Sequence, residues 1–247
     1  MCGGASRLRC LSGSFLPDGG RRGLSGARGS PVVLRHGTLG RVTADDTETA
    51  GHALQEPIRT ARLLVRAGRP EDADDTFEYR SLDAVAHWLT SQPSDLEAYR
   101  ATFAEPARLA DTIIVERDGV IVGDLMLRVE DAWAQTEVAD RARRLQAELG
   151  WALHPDHTGQ GYATEALTAL LPYCFRQLGL RRVTASAFAD NHASRRLMER
   201  LGMRMETYTV RESLHRSGEW LDGVTYALLA EEWDDARGPV PVSGTGL

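Results

Sequence analysis

Residues His154-Pro-Asp-His-Thr-Gly-Gln-Gly-Tyr-Ala-Thr-Glu-Ala166 form a glycine-rich turn. Before it lies the short apolar run Leu149-Gly-Trp-Ala-Leu153; after it, Ala163, Ala166, Leu167, Leu170, Leu171 and Cys174 recur at helical spacing. A strand, a glycine turn and a helix in that order make an anion site. Gly159 and Gly161 let backbone approach a phosphate closely, and the first free N–H groups of the helix, with the positive end of its dipole, point at it.

Three kinds of phosphate turn compete for this segment. The P-loop needs a lysine after its second glycine, and this chain has none, all 29 cationic side chains being arginine. The dinucleotide fingerprint needs a third glycine where Thr164 stands and belongs near the start of a βαβ unit, with an acidic residue about 20 positions on; the fit is poor. A third pattern is Gln/Arg-x-x-Gly-x-Gly/Ala, matched here at Gly161 and Ala163, with Thr158 departing at the first position. A second block follows. Leu178-Gly179 closes the helix, Arg182-Val-Thr-Ala-Ser-Ala-Phe188 alternates like a strand, and residues 190–203 read as a capped helix with the order N-x-x-S then L-x-x-x-G-M.

Together the two blocks resemble the GNAT acetyltransferases, in particular the branch that includes the ribosomal-protein N-terminal acetyltransferases, over residues 57–235. The resemblance implies an α/β (α+β) fold: a mixed, mostly antiparallel sheet of six to seven strands with helices on both faces and a splayed parallel pair, residues 146–153 and 182–188. It implies acetyl-CoA as co-substrate. Its pantetheine arm would enter the splay along backbone at Trp151, Ala152 and Leu153, and its pyrophosphate would lie on Thr158, Gly159, Gln160, Gly161, Tyr162, Ala163 and Thr164. Asn191 would hydrogen-bond the pantetheine, Ser194 would protonate the leaving thiolate, and an amine would attack the thioester directly. The base that removes the amine proton is sought among Glu148, Glu130 and Asp131, each of which could equally be a solvated surface carboxylate.

The second helix has a reading of its own. Asn191, Ser194, Leu197, Met198 and Leu201 fall on one face at steps of three and four. Asn191 as a plain N-cap and Ser194 as an N3 residue explain the same pattern without a cofactor; both roles can hold at once.

Composition excludes several classes. A net charge of −6 and pI near 5.7 argue against a nucleic-acid partner. No apolar run approaches the roughly 18 residues of a spanning helix, so no membrane association is expected. The cysteines, Cys2, Cys10 and Cys174, have no C-x-x-C spacing, and Cys174 reads as a small buried hydrophobe. His154 and His157 flank Pro155 in a turn, a poor metal pair, and no metal is expected. H-E-x-x-H and G-x-S-x-G are absent, and without lysine there is no Schiff-base chemistry.

Residues 1–56 are crowded with Gly, Ser and Arg and lack any sustained apolar period, the composition of a disordered tail. The stretch through Arg41 also has the composition of a transit peptide but no amphipathic stripe, so a tail or mis-assigned start is preferred. Order is expected from Pro57: a strand over 58–66, helices over 70–79, 82–89 and 95–109, a hairpin 112–116/120–128 turning at Asp118-Gly119, an inserted loop or short helix over 130–144, and strands over 204–214 and 219–229. Residues 236–247 read as a flexible tail. Two functions are weighed: a cytoplasmic N-acetyltransferase, monomer or homodimer, acting on a protein N-terminus, polyamine or aminoglycoside-like amine; and a GNAT-fold acyl-CoA sensor or partner-binding module without turnover.

Overall fold

A computed structural model describes residues 54–233. The tail reading over residues 1–53, Cys2 and Cys10 with it, and the tail over 236–247 lie outside the described residues. Leu54, three positions before the expected boundary, is buried in the main core, so a truncation that tests that boundary has to begin before it.

Among the described residues eight strands form one sheet, in the order β1-β2-β3-β4-β5-β6-β8-β7. They are β1 (Ile58–Arg59), β2 (Leu64–Ala67), β3 (Thr112–Arg117), β4 (Val120–Glu130), β5 (Gln146–Leu153), β6 (Arg182–Phe188), β7 (Arg204–Leu214) and β8 (Trp220–Leu229). Every pairing is antiparallel except β5 with β6. The expected count of six to seven is exceeded because residues 58–66 form a small hairpin rather than one strand: Thr60 Oγ1 accepts from the Arg62 and Leu63 N–H groups and turns the chain. At the β3–β4 turn, Asp118 and Gly119 both take positive φ, 51° and 81°, the mirror-image turn that matches strand twist.

Helices α1 (Ala73–Arg80), α2 (Asp83–Ala86), α3 (Leu96–Phe103) and α4 (Pro106–Asp111) precede β3. The expected helix over 95–109 is two, because Pro106 cannot donate a backbone hydrogen bond and starts a new helix. Asp95 caps α3, accepting from the Ala98 N–H at 2.7 Å. The insertion over 130–144 contains a 3₁₀ segment, Thr136–Ala142. Helix α5 (Tyr162–Pro172) ends earlier than its apolar period, since Pro172 brings in a π-turn, Tyr173–Gln177. Helix α6 (His192–Arg200) closes on Gly202 at φ 81°, where the Met203 N–H reaches Met198 O and the Gly202 N–H reaches Glu199 O, the paired bonds of a Schellman cap.

The main core joins α5 and α6 to one sheet face through Ala166, Leu167, Leu170, Leu197 and Met198 against Leu125, Leu127, Leu149, Val183 and Ala185. Cys174 is wholly buried there, and burial pushes its thiol up to about 12, which leaves it protonated and inert. On the other face Ala73 and Phe103 pack on Ile114.

One polar group interrupts the apolar run of β4. Asp124, buried, accepts from Tyr79 Oη at 2.6 Å and from Arg80 Nε at 2.9 Å and Nη2 at 2.5 Å. Burial, with the Asp124 charge beside it, holds the Tyr79 pKa well above the tyrosine value. This network ties the end of α1 to β4 opposite Ala152. Asp124→Ala leaves a guanidinium and a hydroxyl buried without their partner and is expected to cost about 3–5 kcal/mol. That corresponds to a fall of about 6–20 °C in Tm for a unit of this size. Differential scanning calorimetry checks it; an unchanged Tm would show the network to be idle.

Candidate active site

β5 and β6 are parallel and registered only through Gln146↔Arg182, Ala147↔Val183 and Glu148↔Thr184. Beyond that point β5 runs on to Leu153 and β6 to Phe188 with no ladder between them. The facing backbone groups of Leu149–Leu153 therefore line an opening, and Trp151 and Leu153 are half-buried along it while Ala152 is buried.

The glycine turn lies at the end of this opening. Gly159 and Gly161 have φ of 73° and 80°. An added Cβ would meet nothing within 4 Å at Gly159, and at Gly161 only Arg62 Nη2, at 3.6 Å. Within the protein, glycine is thus required by conformation rather than by room. Gly161 is the N-cap of α5 with no side-chain cap, and the first intrahelical bond runs from Glu165 N–H to Gly161 O. The N–H groups of Tyr162, Ala163 and Thr164 stand ahead of that bond, at the positive end of the helix. Thr158 Oγ1 donates to Pro155 O at 2.8 Å and Gln160 Nε2 to Asp156 O at 3.0 Å, so both side chains brace the turn itself.

The Tyr162 side chain turns inward from the loop. Its ring is buried, the Arg62 and Arg117 guanidinium carbons lie 4.7 and 5.4 Å from its centroid, and Arg117 Nη1 donates to its hydroxyl. The backbone cradle expected over residues 159–164 uses the Tyr162 N–H and not this side chain, so the two roles are compatible.

Behind the turn is a set of contacts that the sequence reading missed. Glu165 accepts from Thr60 Oγ1 at 2.5 Å, from the Arg62 N–H at 3.0 Å and from Arg62 Nε at 2.7 Å. Arg62 Nη1 donates to Gln160 O at 3.0 Å. Burial alone would raise the Glu165 pKa, but the Thr60 and Arg62 hydrogen bonds outweigh it and hold the carboxyl below its ordinary value.

At the start of α6, Asn191 Oδ1 accepts from the Ser194 N–H at 3.0 Å. The N-cap role is therefore real, and a ligand would be left with the Asn191 amide NH₂. Ser194 is half-buried on the same face as buried Leu197 and Met198.

The three candidate bases separate. Asp131 accepts from the Arg144 N–H at 2.8 Å and ties the insertion loop. Glu130 is exposed at the end of β4 opposite Gln146. Glu148 pairs with Arg128 across β4 and β5, with Arg128 Nη1 3.7 Å away and Arg128 Nε bonded to Asp111 at 3.0 Å. Burial raises the Glu148 pKa, the Glu130 charge adds to the rise, and Arg128 opposes it. Glu148 sits in the last registered pair before the strands part. Further along that sheet face, Phe188 meets Trp88 and His215 at centroid distances of 6.4 and 5.4 Å. His215 Nε2 lies 3.0 Å from His87 O, joining the β7–β8 turn to the end of α2. Aromatic residues 100 or more positions apart carried no local signal of this wall.

A parted parallel pair, an uncapped helix behind a glycine turn and a half-buried carboxylate at the fork define an acyl-transfer fold of the GNAT type. The family model for the acetyltransferase (GNAT) domain matches residues 62–204, and the chain belongs to that family. An uncharacterized N-acetyltransferase of Bacillus subtilis, YnaD, is 38% identical over 178 residues, 72% of this chain and 99% of that protein. The ribosomal protein uS5-alanine N-acetyltransferase of Escherichia coli is 34% identical over 89 residues, 36% of this chain and 45% of that one. The solved structure of Mycobacterium smegmatis RimJ in complex with CoA-disulfide superposes with a TM-score of 0.58 at 25% identity, covering 72% of this chain and 87% of that one. The protein is an acetyltransferase. Among the described residues no helix is long and apolar enough to cross a membrane.

Proposed function

We propose that the protein transfers the acetyl group of acetyl-CoA to a primary amine by direct attack within a ternary complex in the cytoplasm. The observation that carries this reading is the loss of pairing between β5 and β6 beyond Glu148 and Thr184, next to the free N–H groups of α5. Extended backbone on Leu149–Leu153 pairs with the amides of the pantetheine arm, and the helix N-terminus binds the pyrophosphate. A backbone N–H of β5 polarises the thioester carbonyl, a dipole fixed in advance of the charge that develops on the oxygen. The amine arrives over the sheet face between Glu148 and the Trp88–Phe188 wall. Glu148 takes its proton, with the raised pKa bringing the carboxylate closer to the basicity of the task. Ser194 protonates the departing thiolate, and Asn191 holds the pantetheine through its NH₂.

The uS5-alanine acetyltransferase relative favours a protein N-terminus over a polyamine or an aminoglycoside-like molecule as acceptor. Acetyl-CoA consumption measured against a panel of amines and N-terminal peptides tests the function. Turnover with one class is expected; its absence with every amine would leave the sensor reading. Ser194→Ala is expected to lower kcat by about 10²-fold with little change in acetyl-CoA affinity, the range for a lost general acid. Full activity in a stable variant would remove Ser194 from the mechanism.

A further inference from the structure

We propose that Arg62 is a positioning residue of the anion loop: it holds the Gln160 carbonyl on the outer side of the loop, which aims the Gly161 N–H at the phosphates. The inference rests on the reading of residues 159–164 as the pyrophosphate site.

In a planar trans peptide the C=O and the N–H point in opposite directions. The Gln160 carbonyl accepts from Arg62 Nη1 at 3.0 Å, so the N–H of the same peptide, that of Gly161, faces away from Arg62. The sequence around it does not fix this orientation. Rotating the 160–161 peptide changes ψ of Gln160 and φ of Gly161, and glycine accepts φ of either sign. A flipped peptide would present an oxygen to the phosphates and withdraw a donor, which turns attraction into repulsion at one step.

Arg62 is itself held for this task. Its Nε and backbone N–H both donate to Glu165, its Nη2 lies 2.6 Å from Glu165 Oε2, and its guanidinium covers the Tyr162 ring at 4.7 Å. Thr60 completes the bracket from the same turn. The Arg62 side chain is 45% exposed, and an ion pair that open to water adds little to folding stability. A packing role therefore does not account for five contacts converging on two residues of α5 and its loop.

Calorimetric titration of CoA and of pantetheine, which lacks the phosphates, into full-length wild type, Arg62→Ala and Arg62→Lys tests the assignment. Arg62→Ala is expected to weaken CoA about 10- to 100-fold, the effect of a lost charge-assisted hydrogen bond, with pantetheine affinity and Tm unchanged. Arg62→Lys keeps one donor for Gln160 without the fork to Glu165, and is expected to fall between; it carries the comparison if Arg62→Ala does not fold. Equal weakening of CoA and pantetheine, or unaltered CoA affinity, would overturn the positioning role. Wild type that binds pantetheine but gains nothing from the phosphates of CoA would instead overturn the loop assignment, and this inference with it.

Discussion

Gly161→Glu is expected to abolish acetyl-CoA binding while the domain stays folded. At φ 80° the position strains any side chain, by roughly 1–2 kcal/mol, and the new residue is driven toward negative φ, which turns the 160–161 peptide over. Its Cβ would start 3.6 Å from Arg62 Nη2, so the added carboxylate also competes with Gln160 O for that guanidinium. A negative charge at the helix N-terminus then opposes the phosphates directly. Circular dichroism should report a folded protein with a Tm lower by a few degrees, and calorimetry no heat of binding. Unchanged affinity in the folded variant would dissociate the glycine turn from the cofactor.

Glu148→Gln is expected to lower kcat by about 10²- to 10⁴-fold, the range for removal of a general base. The amide retains the size of the side chain and its place beside Arg128, so acetyl-CoA affinity should hold. The wild-type pH profile provides the sign. In the proposed role the active form is the carboxylate, and burial has raised its pKa above the glutamate value of 4.5. Activity should therefore fall as pH drops through this raised value, and the acidic limb should vanish in the variant. A variant with the wild-type limb would assign that limb to another group.

Much of this was legible in the sequence because it is local. The strand–glycine–helix order of residues 149–172, the strands 146–153 and 182–188 and the Asn191 cap each depend on neighbours within a few positions, and the structure places them where the pattern does. Where the local rules were incomplete, the errors were local too. Pro106 split a helix, Thr60 turned a strand into a hairpin, and Pro172 cut α5 short of its apolar period. The site's supports were a different matter. Arg62 reaches Glu165 and Gln160 across about 100 residues, and His215 reaches His87 across 128, so no spacing rule connects them. Asp124 did carry a signal, a lone carboxylate inside the apolar run 120–127, which only a buried partner makes tolerable. The burial of the Tyr162 ring, at a position expected to act through its backbone, carried no such signal.

Direct transfer in a ternary complex is tested most directly by initial rates measured while acetyl-CoA and the best amine of the panel are varied together. In the proposed mechanism Glu148 and Ser194 move protons and no residue is an acyl carrier; Cys174 is buried with its thiol protonated. Double-reciprocal plots should give lines that intersect, because both substrates must be bound before CoA leaves. Parallel lines, the mark of CoA departing before the amine arrives and of an acetylated enzyme between the two steps, would contradict the account.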